Sequence, residues 1–460
     1  MTVRGIKAGV AIFGLGLAAC TVGPDYAPPE TAVPDAYRTE YAPKPEDSAL
    51  WWRGFEDDAL NGLVEQALEE NLEIGIAVAR LAEAQALSGA ERSDLFPSLD
   101  GAVEGSARRD TSGNVDTEGA ALGLFSFAPD LFGGQRRRLE RARALAKAAG
   151  YTLEDVRRLS AAEVAERYVA LRRAQARLDL LTTSLDLQRQ TLEIVRERYG
   201  AGLAADLDVQ RAAADLARTQ SQRGTLATAK ARAENALAVL LGRAPADSIA
   251  PPADEESPIP VYAGGPPAGV PADLVRQRPD ILAAEAELAA ATAEVGVETA
   301  DLYPSLRLPG QVTASLGGAE AMAGQVTALL GATLDIPLFD AGRRRAEVDA
   351  AEHRVQAALL NYRQTLLDGL GEVENALAAI QGFEERRAEL QRAVEASEQA
   401  FNQLNALYRE GLASFIDILD AQRTLIGSRE AYVEAQADLA SAIIGLYRAL
   451  GAPTRTDSSS

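Results

Sequence analysis

The sequence predicts a mainly α-helical protein that carries a pair of membrane-type β-hairpins and is built from two similar halves. The first observation is a repeat: DLFPSL at residues 94–99 recurs as DLYPSL at 301–306, about 207 residues later (301 − 94). The second is a long proline-free stretch after each copy, with apolar residues at every seventh position. The third is a change of the apolar period to two just after each hexapeptide, which indicates strands.

Further matches define the limits of the two halves. LFGGQRRR at 131–138 matches LFDAGRRR at 338–345, and YGAGLAADLDV at 199–209 matches YREGLASFIDI at 408–418. We therefore predict repeat 1 over residues 58–241 and repeat 2 over residues 272–452. A proline-rich linker or equatorial segment would occupy 242–271, and a tail 453–460.

The long proline-free stretches predict helices of unusual length. Residues 134–199 contain one interior glycine, Gly150, so at ~1.5 Å per residue a single helix would be roughly 100 Å long. Shorter helices are expected at 58–94, 206–241, 272–301 and 414–450. The seven-residue series is Val164, Leu171, Leu178, Leu185, Leu192, Tyr199 in the first repeat and Val373, Ile380, Arg387, Val394, Phe401, Tyr408 in the second, where Arg387 is the exception.

The segments of period two predict strands at about 97–109 and 118–129 in repeat 1, and at about 304–316 and 325–337 in repeat 2. A tilted membrane strand needs about 9–11 residues, and each segment is long enough. A sheet packed on the protein's own core is the alternative. Because four strands cannot close a barrel of useful bore, a membrane sheet would have to be completed by further copies of the chain.

The N-terminus predicts a secretory signal. Arg4 and Lys7 are followed by an apolar run at 8–19 that is too short to span a bilayer as a helix, so residues 1–19 are expected to be a signal peptide. LAAC at 17–20 resembles a bacterial lipobox, in which the cysteine becomes the first mature residue and carries acyl chains.

The lipobox resemblance predicts that Cys20, the only cysteine, bears a diacylglycerol and an acyl group such as palmitate. Thr21 stands where an inner-membrane retention signal would place aspartate, so the resemblance points to the outer membrane. Residues 20–57 would then form a lipid-anchored N-terminal segment. An ordinary signal peptide with an incidental cysteine is the alternative.

Composition argues against several function classes. The chain has 46 basic and 67 acidic residues, a net charge of −21, and would be repelled by nucleic acid. It has one histidine, His353, and one cysteine, which predicts no metal cluster. No phosphate loop or nucleophile elbow is present either. We therefore expect neither an enzyme nor a cofactor other than the lipid on Cys20.

Several longer motifs resemble the outer-membrane factor (TolC-like) family, and within it the NodT-type lipoprotein channels of resistance-nodulation-division efflux systems. They are CTVGPDY at 20–26, WWRGFEDDALNGLVEQALEEN at 51–71, RQRPDILAAEAELAAA at 276–291, PLFDAGRRR at 337–345 and FIDILDAQRTL at 415–425. The resemblance implies a homotrimer whose protomers share a twelve-stranded β-barrel above a long α-helical barrel in the periplasm.

The same resemblance implies a function without catalysis. Such channels sit in the outer membrane, in contact with its lipid, and meet an inner-membrane resistance-nodulation-division transporter through a periplasmic membrane-fusion adaptor. They passively conduct drugs or other small toxic compounds outward. The alternatives are a type I secretion exit channel and a non-channel periplasmic coiled-coil lipoprotein scaffold.

The resemblance also suggests a periplasmic gate. Asp208 and Tyr408 match positions that tether the closed tip, whereas the family's gate arginine is replaced by Ala413. Asp417 and Asp420 are three residues apart on one helix face and would form carboxylate rings that favour cations. Alternatively, Asp417 completes a capping box with Ser414, and Asp208 only complements a helix N-terminus.

Six arginines begin the two long helices and form a candidate basic cluster at the lipid interface: Arg136, Arg137, Arg138, Arg343, Arg344 and Arg345. Just beneath a membrane barrel they could bind lipid phosphates. Pairing with acidic residues on neighbouring helices is the alternative.

Overall fold

The computed structural model describes residues 21–30, 33–34, 37–38, 48–109, 111–113, 115–245, 259–263, 274, 276, 278–316 and 326–451. The predicted signal peptide, Cys20, most of the linker and the tail after Gly451 lie outside the described residues. Within them, none of the helices combines the length and the apolarity that a bilayer span requires.

The described elements follow one another in the order of two repeats. A 3₁₀ segment, Ser48–Phe55, precedes them. The helices are α1 Asp58–Glu70, α2 Leu72–Ser93, α3 Gly134–Gly200, α4 Asp206–Leu240, α5 Pro279–Ala300, α6 Arg343–Arg409 and α7 Phe415–Ala449. The strands are β1 Ser98–Arg109, β2 Val115–Phe127, β3 Ser305–Leu316, β4 Val326–Leu330 and β5 Thr333–Asp335. The predicted fold class, mainly helical with a hairpin pair, is confirmed.

The chain divides into two compact units. Unit 1 consists of Met1–Thr31, Ala79–Tyr151 and Asp280–Thr365, and unit 2 of Ala32–Val78, Thr152–Pro279 and Leu366–Ser460. Unit 1 contains the strands, and unit 2 contains the helix turns after α3 and α6. Each unit draws on both repeats.

In unit 1 the two hairpins form one antiparallel sheet in the order β1-β2-β3-β4, and β5 also pairs with β3. The junction of the hairpins is the pairing of β2 with β3, with Gly123 opposite Val312. The outer strands expose large apolar side chains: Leu99 on β1 is 78% exposed and Leu330 on β4 is 75% exposed. These apolar side chains are therefore not covered by the other described residues of unit 1.

The last strand differs from the single segment predicted at 325–337. It breaks at Gly331, whose N–H donates to the carbonyl of Pro309 on β3 at 2.8 Å. Proline has no N–H to return a hydrogen bond, so the ladder between the strands is interrupted opposite it. The return strand is therefore split into β4 and β5.

The helix predicted at 58–94 is also two helices in the structure. Asn71 adopts an extended conformation between α1 and α2. Its side-chain oxygen accepts from the N–H groups of Glu73 and Ile74, and its Nδ2 donates to the carbonyl of Leu240 at 2.8 Å. Asn71 thus caps α2 and attaches it to the end of α4, and this contact with a distant part of the chain bends the path.

The long helices bury most of the predicted seven-residue series in unit 2. Val164, Leu171, Val373 and Ile380 are fully buried and join one core. Tyr199 differs from the prediction, because it is half exposed at the end of α3. Its counterpart Tyr408 is buried. The two halves of the chain therefore differ at the ends of their long helices.

The tryptophan-rich segment before α1 closes the same core. The ring of Trp51 stacks on that of Tyr447 with centroids 5.3 Å apart. Asp57 caps α1 by accepting from the N–H of Leu60 at 3.0 Å, and it also accepts from the Tyr168 hydroxyl at 2.8 Å. Burial, and then the bond to Asp57, raise the pKa of Tyr168, so the hydroxyl remains a donor.

We predict that Asp57→Ala lowers the free energy of unfolding by roughly 2–4 kcal/mol, because both the helix cap and the partner of a buried hydroxyl are lost. Thermal and denaturant unfolding of the detergent-solubilised protein would measure this. Tyr168→Phe is the control: it should cost less in the Asp57→Ala background than in the wild type. If Tyr168→Phe lowers the free energy of unfolding equally in both backgrounds, the hydrogen bond between Tyr168 and Asp57 does not contribute to stability.

Candidate functional site

The turns that follow α3 and α6 in unit 2 have the same geometry. Gly202 and Gly411 have φ of +74° and +78°. In each turn the next residue, Leu203 or Leu412, donates its N–H to a carbonyl five residues back at 2.8 Å. This pattern is the Schellman motif, which favours glycine because its φ is positive. The chain therefore reverses direction through the same type of turn in both repeats.

These turns rest on a small apolar core of their own. Its buried members are Leu192, Val195, Ala212, Phe401, Tyr408, Phe415, Ile418, Leu419 and Leu425. Residues from α3, α4, α6 and α7 all contribute. A movement of either turn would therefore disturb the packing of the other.

Arg198, which the sequence analysis did not single out, is the central contact between the turns. Its guanidinium lies 4.8 Å from the ring centroid of Tyr408 and donates to the Tyr408 carbonyl at 2.9 Å. That carbonyl also accepts from Gly411 of the turn itself. The resemblance predicted that Ala413 stands where a gate arginine would be, and in the structure Arg198 holds the end of α6. The repeat offset could have indicated it, because the counterpart of Arg198 is the uncharged Leu407.

Tyr408 is 3% exposed, and among the described residues its hydroxyl has no hydrogen-bond partner. Burial raises the pKa of this hydroxyl, the charge of Arg198 opposes the shift, and the charge of Asp208 adds to it. Asp208 lies in the first turn of α4, half-buried, 3.7 Å from Arg211. The structure thus brings the two predicted tether residues into one neighbourhood without a bond between them.

Asp417 occupies the capping position that was the alternative interpretation. The Ser414 hydroxyl donates to its carboxylate at 2.6 Å and the Ser414 N–H donates at 3.2 Å. These bonds lower the pKa of Asp417, so the carboxylate is ionised at neutral pH. Asp420, one turn further along α7, is exposed, and no ion pair to it is formed by the residues that the structure describes.

Asp417 and Asp420 both line an open cleft of about 540 Å³ between α6 and α7. Its other walls include Leu404, Ile416 and Arg423. Beside it, Arg423 binds the buried carboxylate of Asp215 at 2.8 Å. This ion pair connects α7 to α4.

The six arginines of the candidate lipid cluster lie in unit 1. Apart from Arg137, four form ion pairs with carboxylates close in sequence or just after α5: Arg136 with Asp130 at 3.7 Å, Arg138 with Asp301 at 3.9 Å, Arg343 with Glu347 at 2.7 Å and Arg344 with Asp340 at 3.2 Å. Arg345 is exposed and forms no ion pair with a described residue.

Arg137 does not fit the lipid interpretation, because it is 3% exposed and its guanidinium is already bound. It donates to the carbonyl oxygens of Val22 and Gly23 and to the carboxylates of Asp25 and Glu140. Arg137 thus fixes the segment that follows Cys20 to the start of α3.

The contact of residues 22–25 with Arg137 is called the N-terminal clamp below, and two glycines make room for it. Gly23 has a φ of +87°, and a Cβ there would lie 2.5 Å from the Cα of Gly296 on α5. A Cβ on Gly296 would in turn lie 2.7 Å from the side chain of Arg137. Any larger residue at either position would push the three chain segments apart.

Within the described residues, no group of three or more histidine, cysteine or acidic side chains is placed to hold a metal ion.

Two repeats, two very long helices and a sheet whose outer described strands each have a single neighbour are features of the outer-membrane channel class. The chain belongs to the outer membrane efflux protein family, which matches residues 63–243 and 270–452. The resemblance to outer-membrane factors is thereby confirmed.

Known relatives cover almost the whole chain. Nodulation protein T of Rhizobium leguminosarum bv. trifolii is 31% identical over 451 residues, 95% of this chain and 96% of the relative. Pyoverdine export outer membrane protein OpmQ of Pseudomonas aeruginosa is 29% identical, over 96% of this chain and 95% of its own length. The solved structure of the outer-membrane channel OprN is similar with a TM-score of 0.84 and 35% identity, covering 94% of this chain and 99% of that one.

We predict that Arg198→Ala raises the resting ion conductance of the protein in a planar bilayer. The lost contacts to Tyr408 are worth about 1–3 kcal/mol, which corresponds to roughly a fivefold or greater rise in the population with a released turn. Arg196→Ala is the matched control, because Arg196 is exposed on the same helix turn. Equal conductance of both variants would show that Arg198 does not hold the turn.

Proposed function

We propose that this outer-membrane efflux protein is a passive exit channel that three copies of the chain complete. The sheet of unit 1 carries the argument. β1 and β4 stand at its two ends, and the described residues give each of them a neighbour on one side only. Open edges are not stable in lipid, and four strands are too few for a barrel with a useful bore. Three copies would supply twelve strands.

The two repeats support the same assembly. Three chains, each made of two similar halves, form a ring of six nearly equivalent parts. Each long helix then has similar neighbours around the ring. The corresponding turns after α3 and α6 would lie at one end of this ring and narrow it.

The cargo is proposed to be small toxic compounds, including drugs. They would be delivered by a resistance-nodulation-division transporter in the inner membrane through a periplasmic adaptor. Family membership supports this class, and OpmQ is named for pyoverdine export. A type I secretion exit channel is the alternative cargo assignment. The scaffold interpretation is disfavoured by the exposed apolar side chains of β1 and β4, which an aqueous scaffold would not display.

The N-terminal clamp supports a lipid anchor on Cys20. Cys20 lies outside the described residues, but Val22 and Gly23 are bound by Arg137 at the start of α3, shortly after β2 ends. An acylated cysteine two residues before the clamp would be held close to the strands. Its chains could then enter the same leaflet that receives the sheet.

We predict that the Cys20→Ala protein stays in the membrane fraction, because the shared barrel holds it there without acyl chains. Purified in detergent, wild-type protein should be a trimer and should give steady conductance in a planar bilayer. Release of the Cys20→Ala protein into the soluble periplasm, or a wild-type monomer without conductance, would support the scaffold instead.

The two carboxylates of the cleft are proposed to have different functions. Asp417 stabilises the start of α7, whereas Asp420 is free to form a ring of negative charge in the assembly. Such a ring attracts cations to a constriction. Tyr408, Asp208 and Arg198 would set how readily that constriction opens.

We predict that Asp420→Ala lowers the ratio of cation to anion permeability, which reversal potentials in a salt gradient would measure. Asp417→Ala is the matched comparison: it should mainly lower the thermal stability, because its carboxylate serves as a cap. If both variants keep wild-type selectivity, Asp420 has no role in ion passage.

A further inference from the structure

A junction between the two repeats inside unit 1 brings Phe132 and Arg138 of the first repeat against the DLYPSL segment of the second. The rings of Phe132 and Tyr303 stack with centroids 4.7 Å apart and planes at 19°. Arg138 lies 3.9 Å from the carboxylate of Asp301. One aromatic pair and one ion pair thus connect the start of α3 to the end of α5.

The repeat provides a second copy of each half of this junction, and the described residues form no ring contact or ion pair between these two copies. At the offset of about 207 residues, Phe132 corresponds to Phe339 and Tyr303 to Phe96. Phe339 and its neighbour Leu338 are each 90% exposed, and Phe96 is 61% exposed. Exposed aromatic rings of this extent mark a contact surface.

The charged pair is duplicated in the same way. Arg138 corresponds to Arg345 and Asp301 to Asp94. Both are exposed, and neither forms an ion pair with a residue that the structure describes. Opposite charges therefore stand on two surfaces of one chain, each next to an exposed ring.

A third pair changes its chemistry but remains complementary. Within the chain, Arg141 on α3 binds Glu294 on α5 at 3.0 Å. The corresponding residues are Val348 and Leu87, and Leu87 is 59% exposed. An ion pair in the first junction thus becomes a pair of apolar side chains in the second.

We infer that a second copy of this chain supplies Phe96, Asp94 and Leu87 to Phe339, Arg345 and Val348, so that the protomer interface reproduces the junction within the chain. The inference rests on the proposed trimer and goes beyond it, because it assigns the residues that contact each other across the interface. In a trimer, three identical junctions between protomers would alternate with three internal junctions, one in each chain.

Crosslinking separates this assignment from the trimer itself. Phe96→Cys with Phe339→Cys, treated in detergent with a short bismaleimide, should give covalent dimers and trimers on a denaturing gel. The matched control is Phe132→Cys with Tyr303→Cys, which should react only within one chain and remain monomeric. Each single-cysteine variant controls for reaction at Cys20.

A charge exchange adds an independent readout. Arg345→Asp places like charges against Asp94 and should lower the trimer association constant by about fivefold per junction. Adding Asp94→Arg should restore it. Failure of the double variant to restore trimers, when each single variant lowers them, would overturn the ion pair.

The outcomes are distinguishable. Intermolecular products from the 96/339 pair, with only monomer from the 132/303 pair, support the assignment. A trimer on a native gel whose 96/339 pair forms no intermolecular product overturns the assignment and leaves the proposed channel intact. A wild-type protein that is monomeric overturns both.

Discussion

The hydrogen bonds between β2 and β3 are the interaction on which the rest of this structure depends. They join a hairpin from each repeat into one sheet, and they leave β1 and β4 as its edges. Backbone groups at an edge must find partners, and in lipid only another strand can provide them. The exposure of apolar side chains on the outer strands and the proposed joining of further copies both relate to these edges.

Much of the fold could be predicted from the sequence because it depends on local or periodic signals. The repeated hexapeptide, the absence of proline between residues 134 and 199, and the seven-residue series each act over short distances along the chain. The break at Asn71 and the split opposite Pro309 were missed. Both arise from contacts with residues far away in sequence, the carbonyl of Leu240 and the N–H of Gly331.

In the candidate site, too, the local contacts could be predicted from the sequence and the contacts between distant residues could not. Ser414 and Asp417 form a capping box that spacing alone suggested, since its partners are three residues apart. Arg198 was missed because its partner, Tyr408, is 210 positions away. Arg137 was grouped with five other arginines by sequence, although packing against Gly296 gives it a different environment. Positions at which the two repeats carry different residues, such as Arg198 and Leu407, are positions at which the two halves of the chain have different contacts.

The N-terminal clamp has a consequence for biogenesis. Gly23 packs against Gly296 and accepts a hydrogen bond from Arg137, so its binding site consists of residues from both repeats. This binding site cannot form until Gly296 has been synthesised and α5 has packed against the start of α3. Residues 22–25 can therefore take their final position only late in folding, although they are among the first of the described residues to be synthesised.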